Sequence, residues 1–315
     1  MLYFEAVSIL AFLSVIAALF ILETVLIVKF IIAKLSKGEI KIGFKTIVAH
    51  TIAFAGILCV LYGFFIEPYW IDVKTVDITT DKLENTGLKV VQISDLHCDK
   101  KVINEYKMIN IINGLNPDII VFTGDALNNS IALPRFRSVL RNLKAKIGKY
   151  AVRGNVEVIY FGGLNIFEGT DFKVLDKQSV ELAKDGEEFF ISGLSFAYAG
   201  KYYEVLKDIP EDKYNIFLNH YPDLIEDVKG LNVDLYLAGH THGGQIRFPF
   251  YGALVTFSKY GKKYEAGEYH VGDTILYVNR GIGLEGGFSP RVRFLARPEI
   301  TVFNIKPKLG QNSLH

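Results

Sequence analysis

The apolar positions fall into two regimes. The first 66 residues carry two long continuous runs; everything after them carries short blocks separated by polar turns. The first run is AVSILAFLSVIAALFIL, Ala6 to Leu22, extended past Glu23 by TVLIVKFIIA. The second is TIVAHTIAFAGILCVLYGFFI, Thr46 to Ile66. As a helix, each is long enough to cross a hydrocarbon core of about 30 Å. The pattern predicts a transmembrane helical hairpin with spans over about residues 6–33 and 46–66. A cleaved signal is the poorer reading, because the first run has no basic leader and no small-residue cleavage site. Lys29 is expected to snorkel to an interface, and Glu23 or His50 to pack against the neighbouring helix.

The link between the runs, KLSKGEIKIGFK, sets Lys34, Lys37, Lys41 and Lys45 against Glu39 alone. The positive-inside rule places it in the cytoplasm and both termini outside. After the second run comes EPYWID. Its Tyr69 and Trp70 read as an interface belt, and Glu67 and Asp72 offer no basic counterweight. The expected division is a membrane hairpin over 1–70 and a soluble domain over 71–315, extracytoplasmic and close to the bilayer. A hairpin lying in one leaflet is the alternative.

Beyond residue 70 the blocks read as strands and helices. VKTVDITT is expected as an edge strand. GLKVVQIS, PDIIVFTG, KYAVRG, EFFISGLS, YNIFLN, VDLYLAG, TILYVN and EITVFNI follow as further strands. Helical patterns cover residues near 101–114, 132–145, 201–208 and 222–228. Helices interleaved with strands, then more strands than helices, indicate an α/β domain with two sheets.

Composition narrows the partners. The 315 residues carry a formal net charge of +1, which gives no electrostatic footprint for nucleic acid. Two cysteines, Cys59 and Cys98, exclude a disulfide framework. Cys59 lies in an apolar run, and Cys98 directly follows His97.

The chemistry sits where strands end. QISDLH closes one strand with Asp95 and His97, and VFTGDA another with Asp125. AVRGNVE ends in Asn155, IFLNHYPD in His220, and YLAGHTH in His240 and His242. A single Gly-Asp is usually a turn, and a single Asn-His a surface pair. Seven metal-compatible residues at five strand ends are harder to dismiss, since open α/β sheets build sites at carboxyl ends. Mixed Asp, Asn and His donors suit manganese, iron or zinc, and the absence of a cysteine cluster argues against structural zinc. Two ions about 3.5–4 Å apart, bridged by a carboxylate, can hold a hydroxide and neutralise a phosphoryl group.

In order and spacing, these motifs resemble the calcineurin-like metallophosphoesterases, with the wider likeness running from about Gly87 to Lys306. The segments HTHGGQIRFPFYGALVTF, KYEAGEY, LYVNRGIG and ARPEI resemble a membrane-associated or exported subgroup. The resemblance implies a two-sheet β-sandwich flanked by helices and two divalent ions, manganese first among them. Asp95, His97 and His242 would hold one ion, with Asp125 bridging; Asn155, His220 and His240 would hold the other. A hydroxide bridging the ions would attack phosphorus in line. His97 or Asp99 would tune that site.

One motif departs. The family's Gly-Asn-His-Asp/Glu is GNVE here, with Val156 in the histidine's place. In many members that histidine resembles a leaving-group acid, which valine cannot be. A pyrophosphate or nucleotide-diphosphate bond, whose leaving group needs little protonation, fits the change. The branch that cleaves UDP-2,3-diacylglucosamine is similar in that it can lack this histidine. The expectation is a membrane-anchored hydrolase of a phosphodiester or pyrophosphate bond in a lipid-linked or envelope-precursor substrate. A nucleotide-sugar substrate would require a cytoplasmic domain, against the charge rule. The alternatives are a broad extracytoplasmic phosphoesterase with soluble substrates and a metal-binding protein with decayed catalysis. Arg153 and Arg247 are nominated as phosphate binders, and Arg280, Arg291 and Arg293 as weaker candidates. Glu157 is expected to orient a loop. RFPFYGALVTF is either a lipid-facing lid or core packing.

Overall fold

A computed structural model describes residues 2–36, 43–285 and 290–308. The chain opens with two helices, α1 (Leu2–Leu35) and α2 (Phe44–Phe65). Both are long and apolar enough to cross a membrane. Their apolar side chains stay largely exposed: Leu10 is 64% and Phe54 63% accessible. Glu23 and His50 meet across the hairpin, Oε1 to Nδ1, at 2.7 Å. Lys37, Glu39 and Lys41, on which the charge argument partly rests, lie outside the described residues.

Two mixed six-stranded sheets follow. The first holds β1 (Asp72–Thr80), β2 (Leu88–Ile93), β3 (Ile119–Phe122), β4 (Gly148–Ala151) and β5 (Phe172–Val174), closed by the late strand β14 (Glu299–Pro307). Its order is β1-β14-β2-β3-β4-β5, with β2 to β5 parallel and β14 antiparallel to β2. The second holds β6 (Lys177–Lys184), β7 (Glu187–Leu194), β8 (Tyr214–Asn219), β9 (Leu235–Ala238), β12 (Gly267–Val271) and β13 (Thr274–Val278). There the order is β12-β13-β9-β8-β7-β6, parallel from β7 through β13. A small hairpin, β10 (Arg247–Phe248) and β11 (Gly252–Ala253), stands apart. The helices α3 (Glu105–Leu115), α4 (Leu133–Arg141), α5 (Asn155–Tyr160), α6 (Tyr202–Leu206) and α7 (Ile225–Val228) complete the domain.

Strand β8 explains the layering. All six of its residues are buried. Ile216 and Leu218 face the space between the sheets, with Val90, Val121 and Phe303 of the other sheet. Phe217 points the opposite way, onto the cluster holding Leu206 and Ile225 of α6 and α7. Period-two alternation in a run with no polar face produces a strand buried on both sides. On the far face of the first sheet, Ile93, Ile120 and Phe122 pack against Met108, Ile112 and Phe136 of α3 and α4. The result is the expected α/β sandwich flanked by helices. Strands β5, β6, β10, β11 and β12, and helix α5, were not among the expected elements.

The hairpin is tied to the domain. A side chain at Gly63 would press on Val292 Cγ2 at 2.8 Å, and the N–H of Arg293 donates to the Gly63 carbonyl at 3.1 Å. Phe12 of α1 meets Phe248 of β10 edge-on at 5.5 Å. Tyr69 and Trp70 are about half exposed beside this junction, and the Arg297 guanidinium stacks 4.3 Å over the Trp70 ring.

Candidate metal centre

The carboxyl ends of five parallel strands converge. β2 delivers Asp95, β3 Asp125, β4 Asn155, β8 His220 and β9 His240. The ends are laced together: the N–H of Asp95 donates to the Gly124 carbonyl at 2.8 Å, and that of Gly239 to His220 at 3.0 Å. Beneath them, the buried Gln92 amide crosses between the sheets to the Ala238 carbonyl at 2.8 Å. Tight approach explains two glycines. A Cβ on Gly154 would strike the Asp125 carboxylate, and one on Gly239 would strike Ser94 and Asp95.

The backbone here is unusual. Asp95 (φ 50°), His97 (41°), Asp125 (59°), His240 (71°) and His242 (53°) all adopt the left-handed region. That conformation costs about 1–2 kcal/mol for a residue with a Cβ. It persists where surrounding structure dictates it, and it clusters at functional sites.

Two groups of donors result. Asp95, His97 and His242 place ligand atoms within 4.8 Å of one another, and so do Asp125, His220 and His240. Asp125 lies between the groups, with Oδ2 at 3.2 Å from His220 Nε2 and 3.7 Å from His97 Nε2. Asn155 Oδ1 is 3.1 Å from His220 Nε2. His242 Nε2 is 3.3 Å from Asp95 Oδ1 and 3.1 Å from His97 Nε2.

Neighbouring acceptors orient the rings. His220 Nδ1 faces the Thr123 carbonyl at 2.7 Å. His97 Nδ1 faces Asn128 Oδ1 at 2.8 Å, and the Asn128 amide nitrogen donates to Leu284 O at 2.8 Å. Acceptors at Nδ1 hold the proton there and turn the Nε2 lone pairs inward, as metal-ligating histidines require. His240 Nε2 faces the Phe257 carbonyl at 3.3 Å, and Tyr221 lies against its ring at 3.8 Å between centroids.

Electrostatics favour cations. Asp95 and Asp125 are buried, and among the described residues their ion-pair partners are histidines. Buried carboxylates need a paired cation or a metal. Burial, partly offset by His220, pushes the Asp95 carboxyl up to about 7. Asp125 is also desolvated, yet His220 and His97 hold it well below the usual carboxylate range. Burial should lower His220, but Asp125 and Asp95 raise it to about 10. Burial and His220 push His240 down to about 3. The donor set, its burial and its inward lone pairs fit two divalent ions.

A cavity of about 870 Å³ reaches the first donor group at His97 and His242. His97, His242, Asn128, Val156, Gln245 and Glu285 lie at its polar end. The sequence does not display Asn128, Tyr221 or Glu285 as site residues. Asn128 stands three positions past Asp125, and Tyr221 directly follows His220, which is the one local hint. Burial pushes the Glu285 carboxyl up to about 7, with Asp125 adding repulsion. From RFPFYGALVTF, Leu254, Val255 and Phe257 line the cavity, whereas Phe250 at the hairpin tip is fully exposed.

A calcineurin-like phosphoesterase profile matches residues 88–244. The metallophosphoesterase YkuE of Bacillus subtilis is 36% identical over 259 residues, covering 78% of this chain and 89% of the relative. The chain belongs to the calcineurin-like metallophosphoesterase family. The phosphodiesterase YaeI of Escherichia coli is 28% identical, over 78% of this chain and 92% of its own. The UDP-2,3-diacylglucosamine pyrophosphatase LpxG of Chlamydia muridarum is 26% identical, over 82% and 96%. Family and relatives make the chain a metal-dependent phosphoester hydrolase, and its two donor groups match the dinuclear site that the family uses.

The nominated arginines are already held by other partners in the domain. Arg153 grips Asp176 with Nε at 2.8 Å and Nη2 at 2.5 Å. Arg247 pairs with Glu265 at 2.8 Å. Arg280 pairs with Asp72 and Glu299, and Arg291 with Asp99. Arg293 is fully buried and donates to the carbonyls of Gly283, Ala296 and Arg280. Glu157 is buried and accepts the N–H groups of Asp125 (3.1 Å), Ala126 and Gly154 (2.6 Å), which braces the loop carrying Asp125. Cys98 is buried, and desolvation raises its thiol pKa.

Proposed function

We propose that the chain is a membrane-anchored hydrolase that cleaves a phosphodiester or pyrophosphate bond in a lipid-linked substrate. Residues 1–70 form the membrane hairpin and residues 71–315 the catalytic domain. Asp95, His97 and His242 hold one divalent ion and Asn155, His220 and His240 the other, with Asp125 shared; manganese is the first choice of metal. When bound, the ions supply Lewis acidity and a nucleophile at neutral pH. The chain's own residues do the rest. Asn128 and Thr123 fix the imidazoles, Glu157 and the Val156 N–H (3.0 Å from Asp125 Oδ1) fix the shared carboxylate, and the apolar walls exclude water. Arg153 and Arg247 are left out of the machinery, because Asp176 and Glu265 already occupy them.

One observation carries this reading: His97 and His242 of the first donor group sit at the polar end of a large cavity whose other walls are apolar, and Asp125 of the second group lies 3.7 Å from His97. Such a cavity matches an amphiphile with a phosphoryl group at one end. The name of the relative LpxG supports a lipid-linked pyrophosphate such as UDP-2,3-diacylglucosamine. Val156 supports a bond whose leaving group needs no strong acid. The second reading is an outward-facing phosphoesterase with soluble substrates, favoured by the lysine-rich link between the helices.

The test compares UDP-2,3-diacylglucosamine with bis-p-nitrophenyl phosphate, using detergent-solubilised, manganese-loaded protein and Asp125→Ala as control. UMP release abolished by the substitution is expected. Turnover of the simple diester alone would select the second reading. Metal uptake without any turnover would select a non-catalytic metal protein.

A further inference from the structure

The cavity wall opposite the metal-binding side chains does not belong to the phosphoesterase domain. Ile9, Phe12 and Leu13 of α1 form it. Spaced i, i+3 and i+4, they share one helix face. Two contacts hold that face in register. Glu23 and His50 fix the hairpin pairing at 2.7 Å, and Phe12 packs on Phe248 at 5.5 Å. The same pairing brings the first turns of α1 level with the end of α2, where Gly63 docks on Val292 and Arg293. One cavity therefore touches His97 and His242 at one end and a candidate membrane span at the other.

The geometry points to α1 as a wall of the substrate site: an alkyl chain of the phosphoester lies between Ile9, Phe12 and Leu13 and the segment Leu254–Phe257, and enters sideways along α1 from the bilayer. This rests on the lipid-hydrolase reading given above and deepens it. Three observations favour an alkyl chain over a soluble group. The lining away from the donor groups is aliphatic and aromatic. The volume, about 870 Å³, far exceeds what a phosphoryl group occupies and falls in the range of about 300–1,000 Å³ typical of whole small-molecule ligands. The wall in question continues into a helix whose outer apolar side chains are exposed along its length. On this account, the first helix selects substrate as well as anchoring the enzyme.

The experiment uses full-length, manganese-loaded protein in detergent and two chromogenic diesters with the same reacting centre, p-nitrophenyl tetradecyl phosphate and p-nitrophenyl methyl phosphate. The readout is the ratio of their kcat/KM values. Partition of the tail into micelles affects every variant alike and cancels in the comparison. Wild type should prefer the tetradecyl ester. Leu13→Trp, which fills the cavity from an exposed helix position, should lower the ratio about tenfold, and Ile9→Trp should do the same. Leu10→Trp, off the cavity face, should leave the ratio where it is. Equal ratios in all four proteins, or equal losses in Leu10→Trp and Leu13→Trp, overturn the α1 wall and leave the hydrolase reading standing. Failure of wild type to cleave either ester overturns the phosphodiester form of the hydrolase reading and this inference with it.

Discussion

The carboxylate of Glu67, on the turn that ends α2, accepts the backbone N–H of Ala296 at 2.5 Å, and beside it that of Leu295 at 2.8 Å. Glu67 is fully buried. The loop it holds is the one through which Arg293 reaches the Gly283 carbonyl, and the N–H of Gly283 in turn donates to the Asp95 carbonyl at 2.8 Å. The end of the hairpin is thus linked by three short steps to a residue of the metal centre. Glu67→Ala strands the buried N–H of Ala296 and the part-buried N–H of Leu295 and should cost about 2–3 kcal/mol in denaturant unfolding. Glu67→Gln keeps one acceptor and should recover part of that. Equal stability of Glu67→Ala and wild type would mean that the loop docks without the carboxylate.

Asn128 should act through His97. Losing a partner that orients a metal-bound imidazole typically weakens metal binding about 10–100-fold. Asn128→Ala is expected to fall in that range by chelator competition, while the ion held with His220 is retained. Loss of both ions together would mean that the two groups assemble only as a unit.

How much of this was readable beforehand follows from the range of each interaction. YNIFLN announced β8 because a strand buried on both faces leaves a continuous apolar run. KQSVELAK did not announce β6, because that strand lies at the sheet edge and has no fully buried residue. The donors at strand ends stood out because Asp and His beside Gly at the close of apolar runs is a local signal. Asn128 was silent, because its contact with His97 joins two loops 31 residues apart. The pairing of the arginines was silent for the same reason. A free guanidinium and one already held by Asp176 or Glu265 look identical in sequence. The five left-handed backbones are dictated by tertiary packing and leave no mark on residue type, since aspartate and histidine tolerate but do not demand that conformation. Nor could hydropathy tell that one face of α1 lines the cavity.

Val156 should be a specificity position. It lies at the polar end of the cavity, close to His97 and His242, and its N–H donates to Asp125. Val156→His adds a proton donor facing the bound phosphoryl group. A gain on the order of 10²-fold is expected for phosphoesters with poor leaving groups such as simple alcohols, and little change for p-nitrophenyl esters, in line with the usual yield of general-acid catalysis. Equal gains on both would assign the effect to binding.

Topology decides between the two readings of substrate. By the positive-inside rule, Lys34, Lys37, Lys41 and Lys45 would put the link between the helices in the cytoplasm and the catalytic domain outside. A nucleotide-sugar lipid, made in the cytoplasm, demands the reverse. Asp208 offers a clean reporter, since its side chain is 83% exposed on the domain surface. Cys98 is buried, and Cys59, exposed on α2, would lie inside the proposed span, so neither should compete for a charged, membrane-impermeant maleimide. Under the charge rule, Asp208→Cys should label in intact cells, with no further gain on permeabilisation. Labelling only after permeabilisation would invert the hairpin and remove the objection to a nucleotide-linked lipid. Labelling in intact cells would leave the apolar cavity with a different amphiphile, a phosphodiester lipid present on the outer face.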